Sequence, residues 1–376
     1  MISFLKGLFF DQASKISKMM EELDASTISP EIDEPFLQKT KDLLHELFQE
    51  IQHLISSGDL DIESLASNNI IRYNTIHEKI LNIELFRFLV IINYDEAEVY
   101  FKKKITKIYD EINCFFQNPP IITTISNSDD YFWAFPGYDI IAVPNGEQRN
   151  LLNLPDLYHE MGHLFFSQYE KFLIGKINRS IEAFYNREII RVDSEQRAQT
   201  LKTFYREKLV RWASVWVMEF SCDLIATYLV GPAYAWTNLK ICTLSSGHSS
   251  IYNDSAKHPS DEARMRAICY LLNKMGHTAE VIEINASWDR FLKATNNPIP
   301  ANYADIFPQD LLNELAENVF EGCKKIDLRT YADQIAKYDQ PISRVLNDAW
   351  TKLFTSPDDF ATWERSKIEE INTLLR

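Results

Sequence analysis

The chain is poor in several things, and each shortage removes a class of protein. Its five cysteines (Cys114, Cys222, Cys242, Cys269 and Cys323) are scattered, odd in number and never spaced as CxxC, so neither a disulfide framework nor a cysteine zinc knuckle is indicated. A reducing, cytoplasmic setting is expected. Only 10 glycines occur among 376 residues, too few for a turn-rich all-β architecture. Basic residues are in deficit, 39 against 54 acidic, and the net charge of -15 would repel a phosphate backbone or an anionic membrane face. Nucleic acid is therefore not an expected partner. No apolar run is long: "LFRFLVIINY", Leu85 to Tyr94, falls far short of the roughly 20 residues that span a bilayer. The opening "MISFLKGLFFDQASKISKMM" is interrupted by Lys6, Gly7 and Asp11 and reads as an amphipathic helix rather than a signal peptide.

What is present favours helix. Leu, Ile, Glu, Lys and Ala dominate, and apolar residues recur at three and four through most of the chain. The expected fold is mainly α with a small β component (α+β). Residues 1–118 form an N-terminal helical region, 119–276 a catalytic core and 277–376 a C-terminal helical region. Pro119 and Pro120 mark the first boundary. "IITTIS" and "YDIIAVP" are the two expected strands, separated by a turn-rich segment. Gly231-Pro232 breaks the helices beyond.

One stretch carries chemistry. In "LPDLYHEMGHLFF" His159 and His163 stand at i and i+4, one above the other on a helix face, where two imidazoles can reach one metal ion. Asn153 is a candidate cap, with Pro155 and Asp156 opening the helix. A catalytic zinc needs a third protein ligand and an open fourth position. "SVWVMEFSCDLIATYLVGP" supplies Glu219 and Asp223, again four apart, among apolar residues where an unpaired carboxylate is costly. Glu219 suits the third ligand and Asp223 suits a hydrogen bond to the far nitrogen of a liganding histidine; Cys222 is the rival ligand. "HELFQ", from His45, lacks the second histidine and reads as an ordinary helix face.

The blocks His159-Glu160-x-Gly-His163, Glu219-x-x-x-Asp223 and "HPSDEARMRAI" from His258 occur in an order that resembles the zinc metallopeptidases that include the CAAX prenyl protease and the HtpX-type membrane proteases. That resemblance covers roughly Tyr138 to Ile268. It implies a zincin-like core of gluzincin type with one Zn2+ per chain, held by His159, His163 and Glu219. It further implies Glu160 as catalytic base, with His258 and Arg264 facing the substrate. Most members of the family carry transmembrane helices, so their membrane-embedded substrates are not carried over.

The expected activity is peptide-bond hydrolysis by a metal-activated water, with Glu160 as general base and a peptide or protein as substrate. A donor for the oxyanion is sought in or just beyond the polar loop after Glu219, where His258, Arg264, Tyr252 and His248 lie. The strand residues Asp139, Ile140, Ile141, Ala142 and Val143 are the expected edge for pairing with an extended substrate, with Tyr252 as a further contact. Two other readings use the same residues: a zinc amidase acting on a non-protein amide, and a non-catalytic binding or scaffold module. The intact Glu160 speaks against the second, since a purely structural site needs no base.

Overall fold

Residues 2–26, 34–92, 96–114, 121–125, 132–136, 140–144, 146–147, 150–194, 198–244, 251–253, 255 and 257–374 are described by the computed structural model. Among them the chain is mostly helical. The first helices are α1 (Ile2–Ala25), α2 (Glu34–Ser56), α3 (Ala66–Ile83), the short α4 (Leu89–Ile92) and α5 (Glu96–Ile112). Three strands follow: β1 (Ile121–Ile125), β2 (Trp133–Phe135) and β3 (Ile140–Pro144). Next come α6 (Pro155–Leu173), α7 (Ile177–Arg191), α8 (Ala198–Arg211), α9 (Val217–Val230) and α10 (Pro232–Leu244). The chain closes with α11 (Asp261–Lys274), α12 (Thr278–Thr295), α13 (Tyr303–Ile306), α14 (Gln309–Lys325), α15 (Tyr331–Lys337), α16 (Ile342–Thr355) and α17 (Phe360–Leu374).

At the centre lies α9, buried at every residue from Glu219 to Val230. A helix that is apolar all round has no solvent face and must be covered on every side; α6, α11 and α14 do so, with α10 and α16 adding to the cover. The helical run from Ala198 to Val230 is long and apolar enough to cross a membrane by length and composition, but 78% of its most apolar window is buried inside the protein. That burial is what a core helix shows, and no clear transmembrane segment is present among the described residues. Gly231, at φ 68, ends α9 where an L side chain would be strained, and Pro232 opens α10 with its fixed φ.

The sheet corrects the sequence reading. Its order is β1-β3-β2, with β3 parallel to β1 and antiparallel to β2. Ile140, Ile141 and Ala142 therefore lie on the central strand, paired on both sides, and cannot be a free edge; Val143, on the same strand, pairs with Thr124 of β1 alone, and Asp139 lies outside the described residues. Of the two end strands, β2, in a segment read as turn, packs on α6, and β1 packs on α5. One hydrophobic core runs from Phe4 to Ile371 and joins the N-terminal and C-terminal helices, with α1 lying against α16 and α17.

Candidate metal centre

Pro155, at the first turn of α6, forfeits no hydrogen bond there, and Asp156 follows at the positive end of the helix dipole. The cap is Leu154, without a side-chain bond, rather than Asn153. Asn153 uses its amide otherwise, donating to Glu147 Oε2 at 2.7 Å. One turn inside, His159, Glu160 and His163 offer ligand atoms that all lie within 4.8 Å of one another, a buried group that could hold a metal ion. The imidazoles meet edge to face, centroids 5.0 Å apart.

Glycine between them decides how closely the second wall approaches. A Cβ on Gly162 would stand 2.9 Å from Cys222 Cα and 3.2 Å from its carbonyl oxygen, so only glycine lets α6 and α9 touch backbone to backbone. That approach brings Glu219 to the histidines: its carboxylate oxygens stand 3.6 Å from His159 Nε2 and 3.8 Å from His163 Nε2. Cys222 is spent on the helix contact, and its fully buried thiol is held well above its usual pKa by desolvation.

Behind His159 a second set of partners converges on Asp223. His159 Nδ1 is 2.9 Å from Asp223 Oδ1. Arg264, in the first turn of α11, donates Nε to Oδ2 at 2.7 Å and Nη2 to Oδ1 at 2.6 Å. Tyr234, from α10, donates its hydroxyl to Oδ1 at 2.6 Å. Asp223 is fully buried, yet the guanidinium and His159 overcome desolvation and hold its carboxyl well below the usual range. In His159 burial pulls the pKa down, but attraction to Asp223 and Glu219 prevails and raises it. His163 has no such partner, and burial followed by the His159 charge lowers it to about 4. Burial pushes Glu160 up to about 8 and Asp156 up to about 6.

Arg264 thus lies behind the histidines, its side chain 14% exposed, and does not face the front of the site. His258 does: its side chain is 59% exposed and its Nε2 is 3.9 Å from Glu219 Oε2. Its backbone is fixed, for its N–H donates to Ser255 Oγ at 2.7 Å and Ser255 N–H donates to the His258 carbonyl at 2.9 Å. Trp216 donates its indole N–H to the Ser255 carbonyl at 3.1 Å. That indole belongs to a π turn, Trp212–Trp216, which joins α8 to α9. Tyr252 packs edge to face on Tyr303, centroids 5.2 Å apart. His248 lies outside the described residues.

Sequence reasoning missed Tyr234 and the buried Asp156. Tyr234 falls in a helix buried on nearly all sides, where no periodicity marks a special face. Asp156 carried a visible signal, an acid one turn before Glu160, but it was read only as a helix-start residue. Set against protein-family models, curated proteins and solved structures, the chain matches none of them.

Proposed function

We propose that the chain is a zinc-dependent metallopeptidase in which His159, His163 and Glu219 hold one Zn2+ and Glu160 serves as general base. One observation carries this reading. Two imidazole Nε2 atoms face the oxygens of one buried carboxylate at 3.6 and 3.8 Å, beyond hydrogen-bonding reach, with Glu160 on the same helix beside them. Two imidazole nitrogens and one carboxylate oxygen suit a borderline cation such as zinc, which would displace the proton that Asp223 and Glu219 favour on His159. When bound, zinc supplies Lewis acidity toward a water and a carbonyl oxygen.

The rest of the chemistry belongs to the chain. Glu160, beside both histidines on the same helix, takes a proton from the attacking water and passes it to the leaving amine. His258, exposed at the front of the site, is placed to donate to the developing oxyanion. Asp223 fixes the ring of His159, and Arg264 takes the role of holding Asp223 rather than of meeting substrate. An extended peptide would pair along β2, the end strand against α6, instead of the central β3.

Metal analysis of the purified chain, alone and as Glu160→Gln, tests the reading. The expected result is about one zinc per chain in both proteins, with peptide hydrolysis lowered by roughly 10²–10⁴-fold in the variant. Wild-type protein that takes up no zinc on titration would overturn the assignment. Zinc-bound protein that cleaves simple amides but no member of a peptide library would move it to an amidase.

A further inference from the structure

Tyr234 is 1% exposed, comes from a helix that contributes nothing else to the metal group, and lies with its ring stacked on that of His159 at 6.2 Å and 11°. Its hydroxyl closes a triangle with Asp223 and His159. It stands 2.6 Å from Asp223 Oδ1 and 3.0 Å from His159 Nδ1, while those two atoms are 2.9 Å apart. Asp223 Oδ1 is thereby approached by donors from three helices: His159 on α6, Tyr234 on α10 and Arg264 on α11. The second oxygen, Oδ2, takes the Arg264 Nε–H at 2.7 Å.

We propose that Tyr234 is a positioning residue for metal binding, holding Asp223 and the Nδ1 edge of His159 so that the His159 Nε2 lone pair is kept aimed at the space before Glu219. The reasoning is geometric. Arg264 grips both carboxylate oxygens. A short hydroxyl bond from Tyr234 on α10 adds a third donor to the same group and constrains its orientation further. The tyrosine oxygen, donating its hydroxyl hydrogen to Asp223, can also accept weakly from His159 Nδ1–H, so the ring is held at two points rather than one. With Nδ1 bearing the proton, Nε2 is left as the ligating nitrogen. Stacking of the two rings restricts rotation of the imidazole further.

The inference rests on the metal site proposed above, and the experiment separates the two. Zinc affinity is measured by competition with a chromophoric chelator for wild type, Tyr234→Phe, Asp223→Asn and the double variant, with thermal unfolding of each metal-free protein and the absorption spectrum of each cobalt-loaded one. Phenylalanine keeps the stacked ring and removes only the hydroxyl. Tyr234→Phe is expected to weaken zinc binding by on the order of 10-fold and to shift the cobalt bands, with a melting temperature close to that of wild type. In the Asp223→Asn background the same substitution is expected to cost much less, because its effect passes through that carboxylate. Wild-type zinc affinity and an unshifted cobalt spectrum in Tyr234→Phe would overturn the inference alone, as would an equal loss in both backgrounds. A wild-type chain that binds neither zinc nor cobalt would remove the metal site and this inference with it.

Discussion

Glu219 and Cys222 share one turn of α9, and burial pushes both groups up; the charges around Glu219 reverse that push, and those around Cys222 do not. Glu219 has two imidazoles before it, and their attraction, working against desolvation, keeps its carboxyl below the usual value. Cys222 packs on the backbone of Gly162 instead, and desolvation, with the nearby carboxylates, outweighs the pull of Arg264 and keeps its thiol protonated. A carboxylate already ionised at neutral pH can take a cation without first losing a proton; a buried thiol cannot. Glu219→Ala is therefore expected to weaken zinc binding by more than the roughly 10–100-fold that loss of an outer partner costs, and Cys222→Ser to leave it unchanged. Chelator competition on the two proteins decides between them. Metal loss in Cys222→Ser with retention in Glu219→Ala would exchange the assignments.

At the scale of elements the site is a contact between α6 and α9, and its closeness depends on Gly162. Alanine there would gain helix propensity of about 1 kcal/mol, but its Cβ would meet the Cys222 backbone at 2.9 Å, and backbone cannot swing aside. Overpacking of this kind costs about 1–3 kcal/mol. Gly162→Ala should lose stability in urea titration by the excess of the second term. It should also weaken zinc binding, because the two ligand-bearing helices are pushed apart. Unchanged zinc affinity would show that the helices can separate without disturbing the ligands.

The same contact shows what the sequence discloses. The spacing of His159, Glu160 and His163 follows from helical period alone, as does that of Glu219 and Asp223, so both faces were legible. That they meet through Gly162 and Cys222 was not, since a close approach leaves no mark beyond a glycine. The three residues of β2 are too few to show alternation, so the turn-rich segment hid the end strand and made β3 look like the edge. The roles of Arg264 and Asp223 were divided between substrate and histidine because sequence gives no hint that the two side chains bind each other.

Over the whole molecule, titratable groups are buried away from the metal group as well. His77 stacks on Tyr73 at 6.1 Å, and burial, aided by the charges of Lys15 and Lys240, lowers its pKa to about 3. Unfolded, it would titrate near 6.5, so between these values the unfolded chain binds the extra proton and stability rises with pH. The stabilising preference is fully present above about 6.5 and is lost as pH falls toward 3. His77→Phe is expected to remove a slope approaching about 1.4 kcal/mol per pH unit across that window. Urea titrations of the metal-free proteins at pH 5 and pH 7 test it; a slope that survives the substitution would place the titration elsewhere.

Lys15 links the N-terminal helix to the approach of the metal helix. Its ammonium lies 2.7 Å from Glu84 Oε2 and 3.6 Å from Glu147 Oε1, and both carboxylates are almost fully buried. Glu147 in turn accepts from Asn153, two residues before α6, and Glu364 of α17 accepts the Leu151 N–H at 2.8 Å while pairing with Lys18 of α1. Both ends of the chain thus grip the same short lead-in. Lys15→Met would leave Glu84 and Glu147 facing each other without a cation, and breaking a buried pair from one side costs about 3–5 kcal/mol. That loss should appear in full in urea unfolding. Zinc affinity of the folded protein should hardly change, because the position of His159 and His163 is set by the contact of Gly162 with Cys222, a turn and more inside α6. The pair of measurements separates a clamp that stabilises the fold from one that shapes the site. Parallel loss of zinc affinity and stability in Lys15→Met would make the N-terminal helix part of the metal centre.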